Sequence, residues 1–433
     1  MSRWVRSTGP AVAHPARLDV RELQAAGVSV RRGEVLVPTH VGDDAQGLLI
    51  CAAAPLVAGS LQRKGCQVRL APVPGTAEPL ADGDAVLYMA TCPQQDGSTA
   101  AIAAAAAHED KLAAAHAQSA VEEWAAVADT RMLLTASRPW CTGALQAAAA
   151  CRKAAAEHAG GGRTVRLYEP WALSPEVAAE LAGLGAVPVT ALADAEPGDI
   201  VVFPAHGVRP EVRSEAAKRG LTVIDATCPV IVRAQETAGR LASRSQQLVL
   251  IGNRAAAAAG PISGSAAGHV TVVETPSGTA AMQVADAQRI SYMLQPGLPV
   301  EAVDGIVAAL RSRYPAARST QPDGLCYAAS DRAATVHAVA AGSDLLLVLG
   351  DPESPDARQL AGHAREAGIK VQLIGAVTDI RPAMLAGVTT VGTAESTSAP
   401  AALVRQVSAA ISGLGRTSVA RRHVSTEVSD SSN

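Results

Sequence analysis

From residue 160 onward the chain alternates short β-branched apolar runs with helix-like stretches, and this rhythm constrains the fold more than any other feature. TVRLYEP leads to SPEVAAELAGLG, where Ser174 is a good N-cap, Pro175 suits the first helical position and Gly185 suits the stop. GDIVVFPAHG, RPEVRSEAAKRG and TVIDATC then repeat strand, helix, strand. Antiparallel hairpins need tight turns where these helices stand, so the pattern predicts parallel strands in layered α/β lobes. A second lobe begins at about Pro229, with strands at QQLVLIGN, HVTVVET and RISYMLQ and a closing helix at VEAVDGIVAALRSRYP. A third has a strand at DLLLVLG, a helix at SPDARQLAGHAREAG, a strand at KVQLIG and a last helix at APAALVRQVSAAISGLG.

Three of the seven cysteines end apolar, strand-like runs: Cys141 in RPWCTGALQAA, Cys228 in TVIDATCPV and Cys326 in DGLCYAASDRA. Their separations of 87 and 98 residues give each consecutive lobe one soft thiolate for a common polynuclear metal centre, without any CxxC. A free cysteine otherwise reads as a small buried hydrophobe. That reading stays open for Cys51, Cys66, Cys92 and Cys151.

The remaining composition narrows the class. The 433 residues, 48% hydrophobic and 18% charged, suffice for two or three ordinary cores. With 37 basic against 40 acidic residues, the chain offers no charge field for nucleic acid or an anionic membrane. The N-terminal MSRWVRSTGPAVAHP lacks an apolar h-region, and no run of about 18 uninterrupted apolar residues occurs. An odd cysteine count without a secretion signal fits a reducing compartment, so a cytoplasmic location is expected. No GxGxxG or P-loop indicates a nucleotide.

Residues 130 to 415 resemble the LytB/IspH family, the iron-sulfur reductases of 4-hydroxy-3-methylbut-2-enyl diphosphate in the non-mevalonate isoprenoid pathway. The resemblance rests on Cys141, PAHGV around His206, IDATCP around Cys228, LCYAASDR around Cys326 and the SAP tripeptide from Ser398 to Pro400. It implies three pseudo-repeated lobes (about 142–228, 229–325 and 326–415) around a 4Fe-4S cluster, with the strand before Cys141 joining the third lobe. It also implies Cys141, Cys228 and Cys326 as cluster ligands, leaving one iron with an open position. A small-molecule substrate and an electron donor such as ferredoxin or flavodoxin follow from the same likeness.

Much of the family's pocket is replaced. His206 carries over, but the first-lobe histidine falls on Leu173. The second-lobe histidine and glutamate fall on Ala256 and Ala258, and a threonine falls on Pro296. In the third lobe the SSN triplet reads Ser354-Pro355-Asp356, while Ser398 remains. Losing charge-assisted hydrogen bonds worth roughly 1.5 to 3 kcal/mol each, and adding a carboxylate, turns attraction for a diphosphate into repulsion. Loss of the glutamate also removes the evident general acid.

His206, Ser354, Asp356 and Ser398 are therefore the candidate substrate-binding residues, with His206 and Asp356 also candidate catalytic groups. A lone histidine after a strand serves equally as a structural hydrogen-bonder. Asp356 and Arg358 also suit a solvated helix start, and Arg254 is either an exposed loop cation or an anion ligand.

The leading expectation is a cluster-dependent reductase acting on a different, non-diphosphate substrate by reductive removal or activation of an oxygen group. The alternatives are the diphosphate reductase with a remodelled pocket, and a catalytically silent cluster-binding or partner protein.

Residues 1–130 lie outside the resemblance and are expected to form an additional α/β domain. Pro55, Val57, Ala58, Leu61 and Gly65 recur at an offset of 120 as Pro175, Val177, Ala178, Leu181 and Gly185. GDAVLYMA recurs at an offset of 115 as GDIVVFPA, so the domain reads as a possible degenerate copy of the first lobe. The alanine-rich stretch from 99 to 127 favours one long helix. Residues 416–433 read as a solvated tail, and a homodimer is one possible use of the extra domain.

Overall fold

The computed structural model describes residues 18–43, 46–77, 85–127, 131–135, 140–158, 163–169, 175–244, 246–298, 303–320 and 328–424. The chain divides into two compact units, 1–135 with 339–422, and 136–338 with 423–433.

The first unit opens with β1 (Val20–Ala26), β2 (Glu34–Asp43), β3 (Gly47–Ile50), α1 (Ala54–Arg63), β4 (Gln67–Val73), β5 (Gly75–Ala77), β6 (Ala85–Pro93), β7 (Thr99–Ala107) and α2 (Lys111–Ala125). These strands form one seven-stranded sheet, ordered β4-β2-β3-β7-β6-β1-β5. The alanine-rich stretch is thus not one helix. Residues 99–107 form a central strand paired antiparallel with β6 from Ala85↔Ala107 to Pro93↔Thr99, and only 111–125 are helical. Alanine's helix propensity yields here to position: Ala100 to Ala107 are buried, where the ladder with β6 runs the whole length of the strand and small side chains fit under α2. Asp110 ends the intervening turn by accepting a hydrogen bond from the Ala113 amide at 3.1 Å, an N-cap for α2.

The echo of the first lobe is limited to one unit. β2 and β4 pair parallel around α1, but β6 pairs antiparallel with both β1 and β7. The rest of the sheet therefore departs from the first lobe's all-parallel order.

After β8 (Arg131–Thr135) and α3 (Thr142–His158), the first lobe contains β9 (Val165–Tyr168), α4 (Pro175–Gly183), β10 (Val187–Val189), β11 (Ile200–Phe203), α5 (Pro210–Lys218) and β12 (Thr222–Asp225). Its sheet, β10-β9-β11-β12, is wholly parallel. The period-two pattern explains why the strands read as continuous apolar runs. Ile200 and Val202 meet α3 and α4 through Ala154 and Leu181, while Val201 and Phe203 meet α5 through Ala216.

The second lobe follows the same logic with α6 (Pro229–Ser243), β13 (Gln247–Ile251), α7 (Ala259–Ser265), β14 (Val270–Val273), α8 (Pro276–Ala281), β15 (Ile290–Leu294), α9 (Asp304–Arg313) and β16 (Arg318–Ser319). Its parallel sheet is ordered β14-β13-β15-β16. Leu248 and Leu250 pack beside α6 and α7, and Val249 and Ile251 beside α9.

The remaining elements are α10 (Ala328–Ala341), β17 (Leu345–Leu349), α11 (Pro355–Glu366), β18 (Lys370–Ile374), α12 (Pro382–Leu385), β19 (Thr390–Glu395), α13 (Ala401–Ser412) and β20 (Val419–Arg422). The third-lobe sheet is ordered β18-β17-β19-β8-β20, so the strand before Cys141 does join it. The expected solvated tail needs correction at its start: β20 pairs parallel with β8 and closes that sheet edge.

Within the first unit, the seven-stranded sheet and the third lobe share one apolar core, from Leu23 to Leu414. Buried Trp124 donates from Nε1 to Ser60 Oγ at 3.0 Å. The Arg63 guanidinium donates to the Thr378 and Ile380 carbonyls, and the Cys92 thiol donates to the Gly413 carbonyl at 3.3 Å.

Candidate functional site

The candidate residues lie at or beyond the carboxyl ends of parallel strands, where open α/β sheets bind ligands. In the second unit, β12 runs directly into Asp225-Ala226-Thr227-Cys228. Asp225 Oδ1 accepts the Thr227 amide at 3.1 Å, closing a tight side-chain turn, and its Oδ2 takes a hydrogen bond from Arg213. Burial alone would raise the Asp225 carboxyl, but Arg213 and Thr227 hold it below the usual carboxylate range. Cys228 then caps α6, with Pro229 at the first helical position, and its amide donates to the Ala205 carbonyl at 2.9 Å. The DATCP segment thereby fixes a half-buried thiol next to the strand end that carries His206.

Cys141 occupies the corresponding place before α3, where its Sγ accepts the Ala144 amide at 3.4 Å. Both thiols stand at helix starts. The two segments touch: a Cβ at Gly143 would lie 2.7 Å from the Cys228 sulfur. Cys326 falls within 321–327, outside the described residues. Among the described residues, no group of three metal-ligand side chains forms.

The other cysteines differ in environment. Burial pushes the Cys51 and Cys151 thiols up to about 12 and about 11, so both stay protonated and pack as hydrophobes. Cys92 is buried under the Gly413 carbonyl, and Cys66 lies 3.2 Å from His116 Nδ1 at the edge of the first unit's core.

His206 follows β11 in a turn that ends at Gly207, whose φ of +75° suits glycine. Its Nδ1 is buried with no hydrogen-bond partner among the described residues, and burial lowers the imidazole's pKa. The ring is therefore neutral at pH 7 and has an unused polar atom. Ala256 and Ala258 stand in the loop before α7, and Pro296 in the turn after β15; Leu173 is outside the described residues.

Two groups were not anticipated from the sequence. Glu169, just past β9, has a φ of +45° and a carboxyl raised by burial against the opposing charge of Arg209. Gln295, at the end of β15, is 4% exposed and leaves its Oε1 without a partner among the described residues. A non-glycine residue with positive φ and an orphaned buried amide are structural signals, invisible in residue type alone.

In the first unit, the third lobe gathers the other candidates at the ends of β17 and β19. Ser398 Oγ accepts the Asp351 amide at 2.9 Å and shares a 2.8 Å hydrogen bond with Ser396. Asp356, in the first turn of α11, accepts the Thr397 amide on Oδ2 at 2.6 Å. Gly350, with a φ of +133°, leaves the space into which both serine hydroxyls reach. Ser354 precedes α11 in the same loop, with its amide on the Asp351 carbonyl at 3.0 Å.

Comparison with known proteins decides the family. The family model described as LytB protein matches residues 132–412. The chain belongs to the LytB/IspH family. It is 34% identical to the 4-hydroxy-3-methylbut-2-enyl diphosphate reductase of Bordetella pertussis over 67% of this chain and 89% of that protein. It is 35% identical to reductase 2 of the same name from Mycobacterium bovis, over 58% of this chain and 78% of the relative. The solved Plasmodium falciparum E-1-hydroxy-2-methyl-but-2-enyl-4-diphosphate reductase shares the fold, with a TM-score of 0.60, 20% identity and coverage of 70% of this chain and 95% of that one. This LytB/IspH member is an oxidoreductase, and its α/β lobes are those of the family. Among the described residues, no helix is long and apolar enough to cross a membrane.

Proposed function

We propose that this chain is a 4Fe-4S-dependent reductase whose substrate lacks a diphosphate and loses, or has activated, an oxygen group by reduction. Asp356 carries the reading. Its carboxylate accepts the Thr397 amide beside Ser398, so a fixed negative charge already uses a donor that an anionic substrate tail would need. A diphosphate there meets repulsion, whereas a hydroxyl or ammonium group finds an acceptor.

In the second unit, the positions where the family resemblance implies charged or hydroxyl groups are Ala256, Ala258 and Pro296, which supply neither. Neutral His206 offers a ring nitrogen that can donate or accept, depending on its tautomer. The Ser398 hydroxyl accepts from Asp351, leaving its own proton for Ser396 or a substrate oxygen.

Cys141 and Cys228 fit a shared cluster, because both are helix-start thiols and the Cys228 sulfur lies against the first turn of the helix that Cys141 begins. With Cys326 as the third ligand, the bound cluster supplies electrons and an iron with an open coordination position. A small ferredoxin- or flavodoxin-like donor and a cytoplasmic setting complete the proposal.

Identity of 34–35% to named diphosphate reductases favours a second reading, the isoprenoid enzyme itself with a remodelled pocket. Anaerobically purified protein should show an iron-sulfur spectrum that fades in Cys141→Ser, Cys228→Ser and Cys326→Ser but persists in Cys66→Ser and Cys151→Ser. Full iron retention in Cys228→Ser would remove the cluster assignment. Cluster-replete, reduced protein should convert 4-hydroxy-3-methylbut-2-enyl diphosphate far more slowly than about 1 s⁻¹; turnover at or above that rate would establish the second reading instead.

A further inference from the structure

A cavity of about 360 Å³ lies in the second unit beside the edge strand β14, within the size range of small-ligand sites. Arg209, Arg254, Ala259, Gly260, Ser263 and Thr271 contribute to its lining, and neither Cys141 nor Cys228 does. We propose that it binds a small ligand carrying an oxyanion, a phosphate monoester or a carboxylate, on a short apolar body. The inference stands apart from the proposed reductase function.

Both arginines are positioned before any ligand arrives. Arg254 donates from Nη2 to the Val272 carbonyl at 3.1 Å, and its amide donates to Glu274 Oε1 at 2.8 Å, fixing the loop before α7 against β14. The remaining guanidinium donors of Arg254 have no hydrogen bond among the described residues. Arg209 lies along α7: a Cβ at Gly260 would come within 3.2 Å of its Nε, and one at Gly264 within 3.4 Å of its Cγ. Gln235 fixes this approach by donating to both the Val208 and Pro261 carbonyls, at 3.0 and 3.3 Å. Among the described residues the Arg209 guanidinium makes no ion pair or hydrogen bond, although Glu169 feels its charge.

Ser263 supplies a further polar observation. Its Oγ is buried and has no partner among the described residues, while the hydroxyl of its neighbour on the wall, Thr271, accepts from Gln247 at 2.9 Å. With that hydroxyl enclosed, the Arg209 and Arg254 guanidinium groups are the charged donors that an oxyanion in the cavity would meet. Ala259, Val270 and Val272 make the rest of the wall apolar, which favours a ligand with a body over a bare ion.

Calorimetric titration of the anaerobically purified full chain tests this with phenyl phosphate, benzoate and inorganic phosphate. One saturable site is expected, with phenyl phosphate or benzoate tighter than inorganic phosphate; the tighter organic probe assigns the head group. Arg209→Ala and Arg254→Ala should each weaken binding about tenfold or more. Gly260→Ala keeps both arginines and suits a helix, yet should also weaken binding by displacing Arg209. Arg405→Ala, on α13 in the other unit, should bind as the parent does. Absence of saturable binding for all three probes, or unchanged binding in the Arg209→Ala/Arg254→Ala double variant, would overturn the assignment.

Discussion

In the first unit, a seven-stranded sheet and the five-stranded third lobe pour their apolar faces into one continuous core, whereas in the second unit each four-stranded sheet keeps a separate small core on either face. The first arrangement spreads stability over many residues from distant parts of the sequence. The second leaves the strand ends of each lobe dependent on short local contacts, and those ends carry Cys228, His206 and Gln295. Damage to a large shared core should therefore appear as lost folding, and damage at a small lobe's edge as an altered site.

Removing residues 1–128 should have the largest effect. A chain starting at Asp129 would uncover the third-lobe residues Leu403, Val407, Ile411 and Leu414, which now share the core with α1 and β6. We expect loss of soluble protein on expression; a soluble, iron-binding fragment with the melting temperature of the full chain would refute a shared core. Two glycine variants sharpen the contrast at a smaller scale. In Gly413→Ala the added methyl would lie 2.6 Å from the Ala53 nitrogen, and in Gly143→Ala 2.7 Å from the Cys228 sulfur. At Gly413 the methyl would meet backbone and should cost about 1–3 kcal/mol, whereas at Gly143 it would meet the Cys228 side chain and displace the sulfur instead. Urea melts of Gly413→Ala should show the loss without a change in iron stoichiometry, while Gly143→Ala should reduce bound iron at a nearly unchanged midpoint.

The smallest effect concerns pH. Burial holds the folded His206 below its ordinary pKa, so the unfolded chain binds the proton first. His206 therefore lowers stability progressively as pH falls from about 6.5 toward its folded value, and has no such effect above about 7. His206→Gln should shrink the difference in urea midpoint between about pH 7.5 and about pH 5.5. An equal difference in both proteins would mean that the ring is not kept neutral by the fold.

The alternation of strands and helices after residue 160 was readable because fully buried parallel strands are continuous apolar runs, bounded here by signals such as Pro175, Pro210 and Gly185, whose φ is +84°. The alanine-rich stretch misled because local propensity favours a helix, while burial between neighbouring strands decides Thr99–Ala107. β20 escaped notice because Val-Ala-Arg-Arg has no apolar run, being an edge strand whose side chains are mostly exposed. At the candidate site, Cys141, Cys228 and His206 could be found from their segments, since residue type and strand-end position coincide. Glu169 and the Arg209 cavity could not, because a backbone angle and two glycines four residues apart acquire meaning only in three dimensions.

β8 pairs with Thr390–Glu395 on one side and Val419–Arg422 on the other. Its partners lie some 260 and 290 residues further along the chain. During synthesis the amino-terminal sheet leaves the ribosome with the part of its apolar core that the third lobe supplies, Leu345 to Leu414, still missing, and it waits for the whole second unit to be translated before that lobe arrives. At about 5–20 residues per second that interval lasts roughly 13 to 60 seconds. Closure over such sequence distances is slow and leaves strand edges open to other nascent chains. The order in which this polypeptide is made thus sets a window of vulnerability to aggregation, and soluble yield should depend on translation speed and chaperone supply more than the finished fold's stability would indicate.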